Sequence, residues 1–143
     1  MTQDGKNILL RFVEWAKKKI RHHVDEQPIH FYFREKEIWW VALGQNIGYE
    51  INGKHELFER PVLILKKYSG GMCFVIPCTT QIKREQVWYQ YPVLIDGTES
   101  ALNLSQGKTI SSKRLLRKIE TIDTELYNNI IAKFSDQFRQ KEI

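Results

Sequence analysis

Along residues 5–24 the apolar side chains Leu9, Phe12, Val13, Ala16 and Ile20 recur three or four positions apart, the spacing that lines one face of an α-helix. Lys17, Lys18, Lys19 and Arg21 crowd its last turns, where the negative end of the helix dipole favours cations. Pro28 closes the segment, and residues 25–30 read as a linker. The pattern then turns extended. Glu37-Ile38-Trp39-Trp40-Val41-Ala42-Leu43 is bulky, β-prone and stopped by Gly44, as a first core strand would be. Between Gly44 and Glu59 runs a polar stretch punctuated by Gly44, Asn46, Gly48, Asn52 and Gly53, a connection of the length that usually carries function or moves. Arg60–Lys67 and Met72–Thr79, joined across Ser69-Gly70-Gly71, predict a hairpin. Pro61 and Pro77 should mark strand ends, an edge or a bulge, because proline cannot donate to a ladder. Further strands are expected at Tyr89–Ile95, before the turn Asp96-Gly97, and near residues 101–104, 108–110 and 118–122. The last element is a helix capped by Asp123 or Thr124, with Leu126, Ile130, Ile131, Phe134 and Phe138 on one face. Roughly five to seven strands with two helices and no βαβ alternation make an α+β fold around a small, strongly curved antiparallel sheet. One domain, 1–143, is expected: a helical extension and linker over 1–30, then the sheet and final helix over 31–143.

Composition narrows the setting. The 143 residues carry 22 basic and 17 acidic side chains, a formal charge of +5, and are 42% apolar, the profile of a folded, basic domain. Every apolar run breaks before the roughly 18 residues a membrane span needs, and Met1-Thr2-Gln3-Asp4-Gly5 opens no signal peptide, so a cytoplasmic address without a membrane partner is expected. Cys73 and Cys78 stand an odd number of positions apart in one apolar strand, which sends them to opposite faces as two buried thiols. No cysteine or histidine spacing suits zinc, and no phosphate-binding glycine loop or nucleophile elbow is present, so neither a metal nor a cofactor is expected.

Trp39, Trp40, Trp88, Tyr89 and Tyr91 stand among Lys83, Arg84, Lys113, Arg114, Arg117 and Lys118: flat rings for bases and cations for phosphates, the ingredients of single-stranded nucleic-acid binding. Trp39 and Trp40 must face opposite ways in a strand, so one belongs to the core. The hairpin brings together Arg60, entering one strand, and Thr79, leaving the other. A guanidinium offers a fixed fork of donors matching phosphate oxygens, and a neighbouring hydroxyl can donate to the same group.

Glu37-Ile38-Trp39, Gly48-Tyr49-Glu50, Phe58-Glu59-Arg60-Pro61-Val62-Leu63-Ile64, Ile76-Pro77-Cys78-Thr79-Thr80 and Lys118-Ile119-Glu120-Thr121-Ile122-Asp123, in this order and spacing, resemble the MazF/PemK (Kid) toxin endoribonucleases over residues 34–138. The resemblance implies an SH3-like barrel shared with the CcdB gyrase poisons, and a homodimer with RNA bound near its interface. It also implies metal-free cleavage of single-stranded RNA at short sequences, and neutralisation by a cognate antitoxin. It places the catalytic pair on Arg60 and Thr79, with Glu50 shaping the loop or moving a proton. Gly48, Lys83, Arg84 and Lys118 are then the candidate RNA contacts. Because a guanidinium stays protonated, Arg60 would bind phosphate and stabilise the transition state. His55, on the same loop, is of a type suited to acid–base work, yet a lone loop histidine reads first as a surface residue. Arg117 and Lys118 stand where many relatives carry an acidic residue and a glutamine, and Glu120 where arginine is frequent, a reversal expected to change which RNA is read or how protons move, or to mark a member that binds without cutting. The N-terminal helix lies outside the family's core; packing on the sheet is its simplest role, extending a dimer or covering the RNA groove the alternatives. The competing reading of the whole is a non-catalytic relative that binds nucleic acid or protein, including a CcdB-like gyrase inhibitor.

Overall fold

The computed structural model describes residues 1–28, 30–83, 85 and 87–139. The first helix, α1 (Gln3–Val24), starts where the Thr2 hydroxyl accepts the Gly5 N–H at 3.1 Å, satisfying a donor the first turn would otherwise leave open. Seven strands follow: β1 (Glu37–Ala42), β2 (Glu59–Ser69), β3 (Met72–Thr79), β4 (Gln90–Ile95), β5 (Thr98–Asn103), β6 (Lys108–Ser111) and β7 (Leu115–Thr121). The closing helix, α2 (Thr124–Asp136), is capped by the Asp123 carboxylate on the Leu126 N–H at 2.8 Å. All pairings are antiparallel, in the order β4-β5-β3-β2-β1-β7, with β6 alongside β3. The result is the α+β curled half-barrel with a helix at each end that the sequence predicts. No helix among the described residues is long and apolar enough to cross a membrane.

Alternation along the strands sorts the core onto two faces. Ile38, Leu63, Ile76 and Cys78 pack with Leu102, Leu104 and Ile130 under α2, while Trp39, Val41, Val62, Ile64, Cys73 and Val75 pack with Phe33 and Ile110 on the other side. Cys73 and Cys78 therefore belong to separate clusters, both buried and free. Trp39 is the core member of the tryptophan pair and Trp40 stays half-buried. Tyr127 ties α2 to the sheet by donating to the Leu65 carbonyl at 2.6 Å. Phe138, expected on the packed face, lies past the end of α2 and is exposed.

Pro61 and Pro77 sit in central strands, at positions where one side of the ladder is missing. β3 pairs with β6 over Met72–Val75 and with β5 over Cys78–Thr79, and Pro77 falls in the gap between these outer partners. Pro61 lies in the opening residues of β2, which pair with β1 before the ladder to β3 begins at Val62.

Docking of α1 departs from the expectation. The Leu9–Ile20 stripe does not pack on the sheet: Leu9, Val13 and Ile20 are exposed. The helix is held instead by Trp15, 6% exposed, which packs with Ala42 and Phe58. Gly44 makes room for it. At φ +85° a Cβ there would lie 2.1 Å from the Trp15 ring, so this turn needs glycine both for its backbone and for the close approach.

Candidate active site

The site forms where the hairpin strands splay. Val62 pairs with Pro77; carrying that register on sets Arg60 opposite Thr79 on one sheet face. The backbones no longer pair there, because Thr79 has turned to Ala101 of β5. The Arg60 side chain bridges the opening: Nη1 donates to the Cys78 carbonyl at 3.2 Å and Nε to the Asn52 carbonyl at 2.7 Å. Arg60 and Thr79 are each 8% exposed. Burial pulls the guanidinium below the ordinary arginine range. The Thr79 hydroxyl accepts the Gln81 N–H at 3.1 Å, so its own proton remains free to donate.

Two clefts meet at this pair. One, of about 230 Å³, is lined by Trp40, His55, Glu59, Thr80 and Ser100 together with Arg60 and Thr79. The second, of about 370 Å³, shares Arg60 and Thr79 and adds Tyr49, Lys83, Tyr89 and the amides of Gln81, Gln90, Asn103 and Gln106. An anionic group at the pair would thus have one compartment on either side, the second rich in rings and amides. Among the described residues, no group of three or more His, Cys, Asp and Glu side chains is assembled as metal ligands.

The other sequence candidates divide. Lys83 borders the second cleft, its ammonium 5.4 Å from the Tyr89 ring centre. Arg84 lies outside the described residues. Gly48, at φ +58°, occupies open space on the loop. Glu50 is not brought to Arg60: its carboxylate accepts the Ile47 N–H at 3.0 Å and closes the loop's own turn. Lys118 is not brought there either. It sits on β7 opposite Trp39 with its ammonium 2.8 Å from Glu37, so its charge is committed elsewhere. The reversed charges also find local partners. Arg117 grips Glu59 at 2.8 and 2.9 Å and lies over Trp40, and Glu120 accepts the Asp96 N–H.

His55 is an exposed loop residue, as the sequence reading has it. It stands at φ +62°, its carbonyl accepts Arg11 Nη1 at 2.8 Å, and its side chain lines the first cleft. Tyr49 and the four amides also escape sequence reasoning; the only signal was an aromatic inside the glycine loop, the amides being scattered over β4, β5 and the segments after β3 and after β5.

The sequence pattern of "PemK-like, MazF-like toxin of type II toxin-antitoxin system" matches residues 34–138. The chain belongs to this family. No curated protein sequence matches it. Among solved structures, MazF (Form-I) from Deinococcus radiodurans is similar at TM-score 0.61 and 15% identity, covering 75% of this chain and 96% of that one. The Mycobacterium tuberculosis toxin MazF-mt6 reaches TM-score 0.54 at 19% identity, over 71% of this chain and 95% of that one. An endoribonuclease in complex with its cognate antitoxin, from Mycobacterial species, gives TM-score 0.54 at 10% identity, over 77% and 100%. At these identities the likeness is one of fold. This MazF-like toxin differs from the shared region by carrying α1, which lies wholly before residue 34.

Proposed function

We propose that this MazF-like toxin is a metal-independent, sequence-specific endoribonuclease acting on single-stranded RNA as a homodimer, and that a cognate antitoxin silences it. The supporting observation is the buried Arg60–Thr79 pair at the junction of two clefts. In this reading a ribose 2′-hydroxyl attacks the adjacent 3′-phosphorus and the bond from phosphorus to the 5′-oxygen breaks, leaving a 2′,3′-cyclic phosphate and a 5′-hydroxyl. Charge gathers on the phosphoryl oxygens, where Arg60 and the Thr79 hydroxyl donate. The 2′-proton must leave and the 5′-oxygen must gain one; His55, lining the cleft beside Arg60, serves that transfer. The rings and amides of the second cleft fit unstacked bases, which are read by stacking and by their edges, and Lys83 supports the backbone there.

The test is incubation of the purified protein with a long single-stranded RNA in chelator, beside Arg60→Ala, Thr79→Ala and His55→Ala, with both product ends mapped. Cuts at a recurring short sequence bearing 5′-hydroxyl ends, abolished by Arg60→Ala and slowed by the other two, are expected. Absence of cuts by the folded wild type would return the protein to the binding-module or gyrase-inhibitor reading.

A further inference from the structure

α1 has two faces with opposite fates. Arg11, Trp15, Lys18 and His22, spaced four, three and four residues apart, turn toward the barrel and are buried or half-buried. On the reverse side Leu9, Phe12, Val13 and Ile20 are 52%, 36%, 43% and 63% exposed, with exposed Ala16 at the centre. Amphipathic helices normally turn such a stripe to their own core. Here the docked face is the charged one, centred on a single tryptophan, and the apolar face looks out.

The pattern and the charges say what suits it. Leu9, Val13, Ala16 and Ile20 form a seam spaced four, three and four, as in a two-helix contact, with exposed Ile8, Leu10, Phe12 and Val24 flanking it, and small Ala16 permits close approach. Lys6 and Lys17 border it on one side and Lys19 on the other; Asp4 lies round toward the barrel, and Glu14, beside Lys17 at 3.1 Å, leaves the border net positive. A second copy of α1 would set these lysines against lysines. A membrane-surface helix would place its tryptophan in the apolar face, yet Trp15 is on the docked side. We propose that the outward face of α1 is a docking surface for an acidic amphipathic helix of a protein partner. Resting on the toxin reading above, that partner is the antitoxin. The position suits a regulator: Arg11 donates to the His55 carbonyl at 2.8 Å and stacks 3.8 Å from the Phe58 ring centre, so α1 is fastened to the loop that walls the Arg60 cleft.

The experiment uses the full chain and a fluorescent helical peptide about as long as α1, with leucines in the same seam and glutamates at its borders. A control peptide carries lysines in place of the glutamates. Anisotropy should show the acidic peptide binding at least about tenfold tighter, weakening with salt. Leu9→Ser with Val13→Ser, both exposed and checked for folding by circular dichroism, should cost about tenfold or more in affinity. Lys17→Glu with Lys19→Glu should reverse the preference toward the lysine peptide. RNA cleavage, measured in parallel, should be unchanged in the serine variant. Equal affinity for the two peptides would overturn the proposal. So would a serine variant that binds as well as wild type, one that merely dissolves a dimer, or a stripe that binds only anionic phosphatidylglycerol vesicles. A wild type that binds the acidic peptide but cuts no RNA would defeat the ribonuclease reading and leave the docking surface standing.

Discussion

Replacing Arg60 with alanine asks whether the resting site is built to receive an anion. The guanidinium is 8% exposed and spends two donors on the Asn52 and Cys78 carbonyls, and no salt bridge among the described residues involves it. The rest of an arginine's five donors remain for a ligand. Net charge-assisted hydrogen bonds are worth about 1.5–3 kcal/mol each, so a pair gives about 3–6 kcal/mol, and after an association cost of at least about 4 kcal/mol a small divalent anion such as sulfate would bind at tens of millimolar or weaker. At ten times its dissociation constant, sulfate would stabilise the fold by about 1.4 kcal/mol. For a chain of this size that is about 3–6 °C in melting temperature. Sulfate also stabilises any fold by its exclusion from protein surface, an effect without saturation at low concentration. The informative quantity is therefore the saturable part of the thermal shift, present in wild type and absent in Arg60→Ala. On RNA the same variant should lose about 10²–10³-fold in kcat, the scale for removing a donor to a developing oxyanion. Arg60→Lys, keeping a point charge without the fork, should recover some of the sulfate shift and little of the rate. A saturable shift undiminished in Arg60→Ala, or cleavage within a few-fold of wild type, would refute the assignment.

Other expectations concern the scaffold. Burial alone would raise the Glu37 pKa, but the Lys118 ammonium at 2.8 Å and the N–H donors of Arg34 and Trp39 outweigh it and leave the carboxyl below its ordinary range. The stabilisation this gives is complete above the unfolded carboxylate range and is lost as pH falls through the folded value. Glu37→Gln should thus cost about 1–3 kcal/mol in urea unfolding at neutral pH and progressively less in acid, and an equal loss at both would contradict it. Gly44→Ala should loosen α1, seen as a red shift of tryptophan emission and faster proteolysis before residue 28, since its Cβ would stand 2.1 Å from Trp15. Gly48→Ala, at φ +58° in open space, should cost only about 1–2 kcal/mol of backbone strain with α1 still docked. Burial pushes the Cys73 thiol up to about 11 and Cys78 further still. Neither should react with iodoacetamide at pH 8 unless the protein unfolds, and rapid labelling of the native chain would show otherwise.

Much of this architecture is written in short-range pattern. The hairpin, the glycine loop after β1 and the Asp123-capped helix each follow from residues within a few positions of one another. Arg60 and Thr79 were legible for the same reason, since a tight turn at 69–71 makes their meeting a matter of counting. That Glu50 and Lys118 are engaged away from Arg60 was not legible, because their partners, the Ile47 N–H and the Glu37 carboxylate, depend on a loop's local closure and on the β1–β7 register. That the exposed His55 also borders the cleft was not legible, because nothing nearby in sequence shows that its loop folds over the mouth of the hairpin.

The sequence by itself determined which segments are helix and strand, that the sheet is antiparallel, and that a guanidinium and a hydroxyl meet at one rim. These depend on periodicity, capping and turn chemistry, which act over a few residues. Only the tertiary structure decided which side of α1 docks, which cations stay free and what walls the two clefts. Those outcomes turn on contacts between distant segments: a tryptophan finding a glycine that leaves room for its ring, and Lys118 finding the Glu37 carboxylate across a strand pair. Periodicity measures how apolar a face is, and the fit of Trp15 against Gly44 and Phe58 outweighed it.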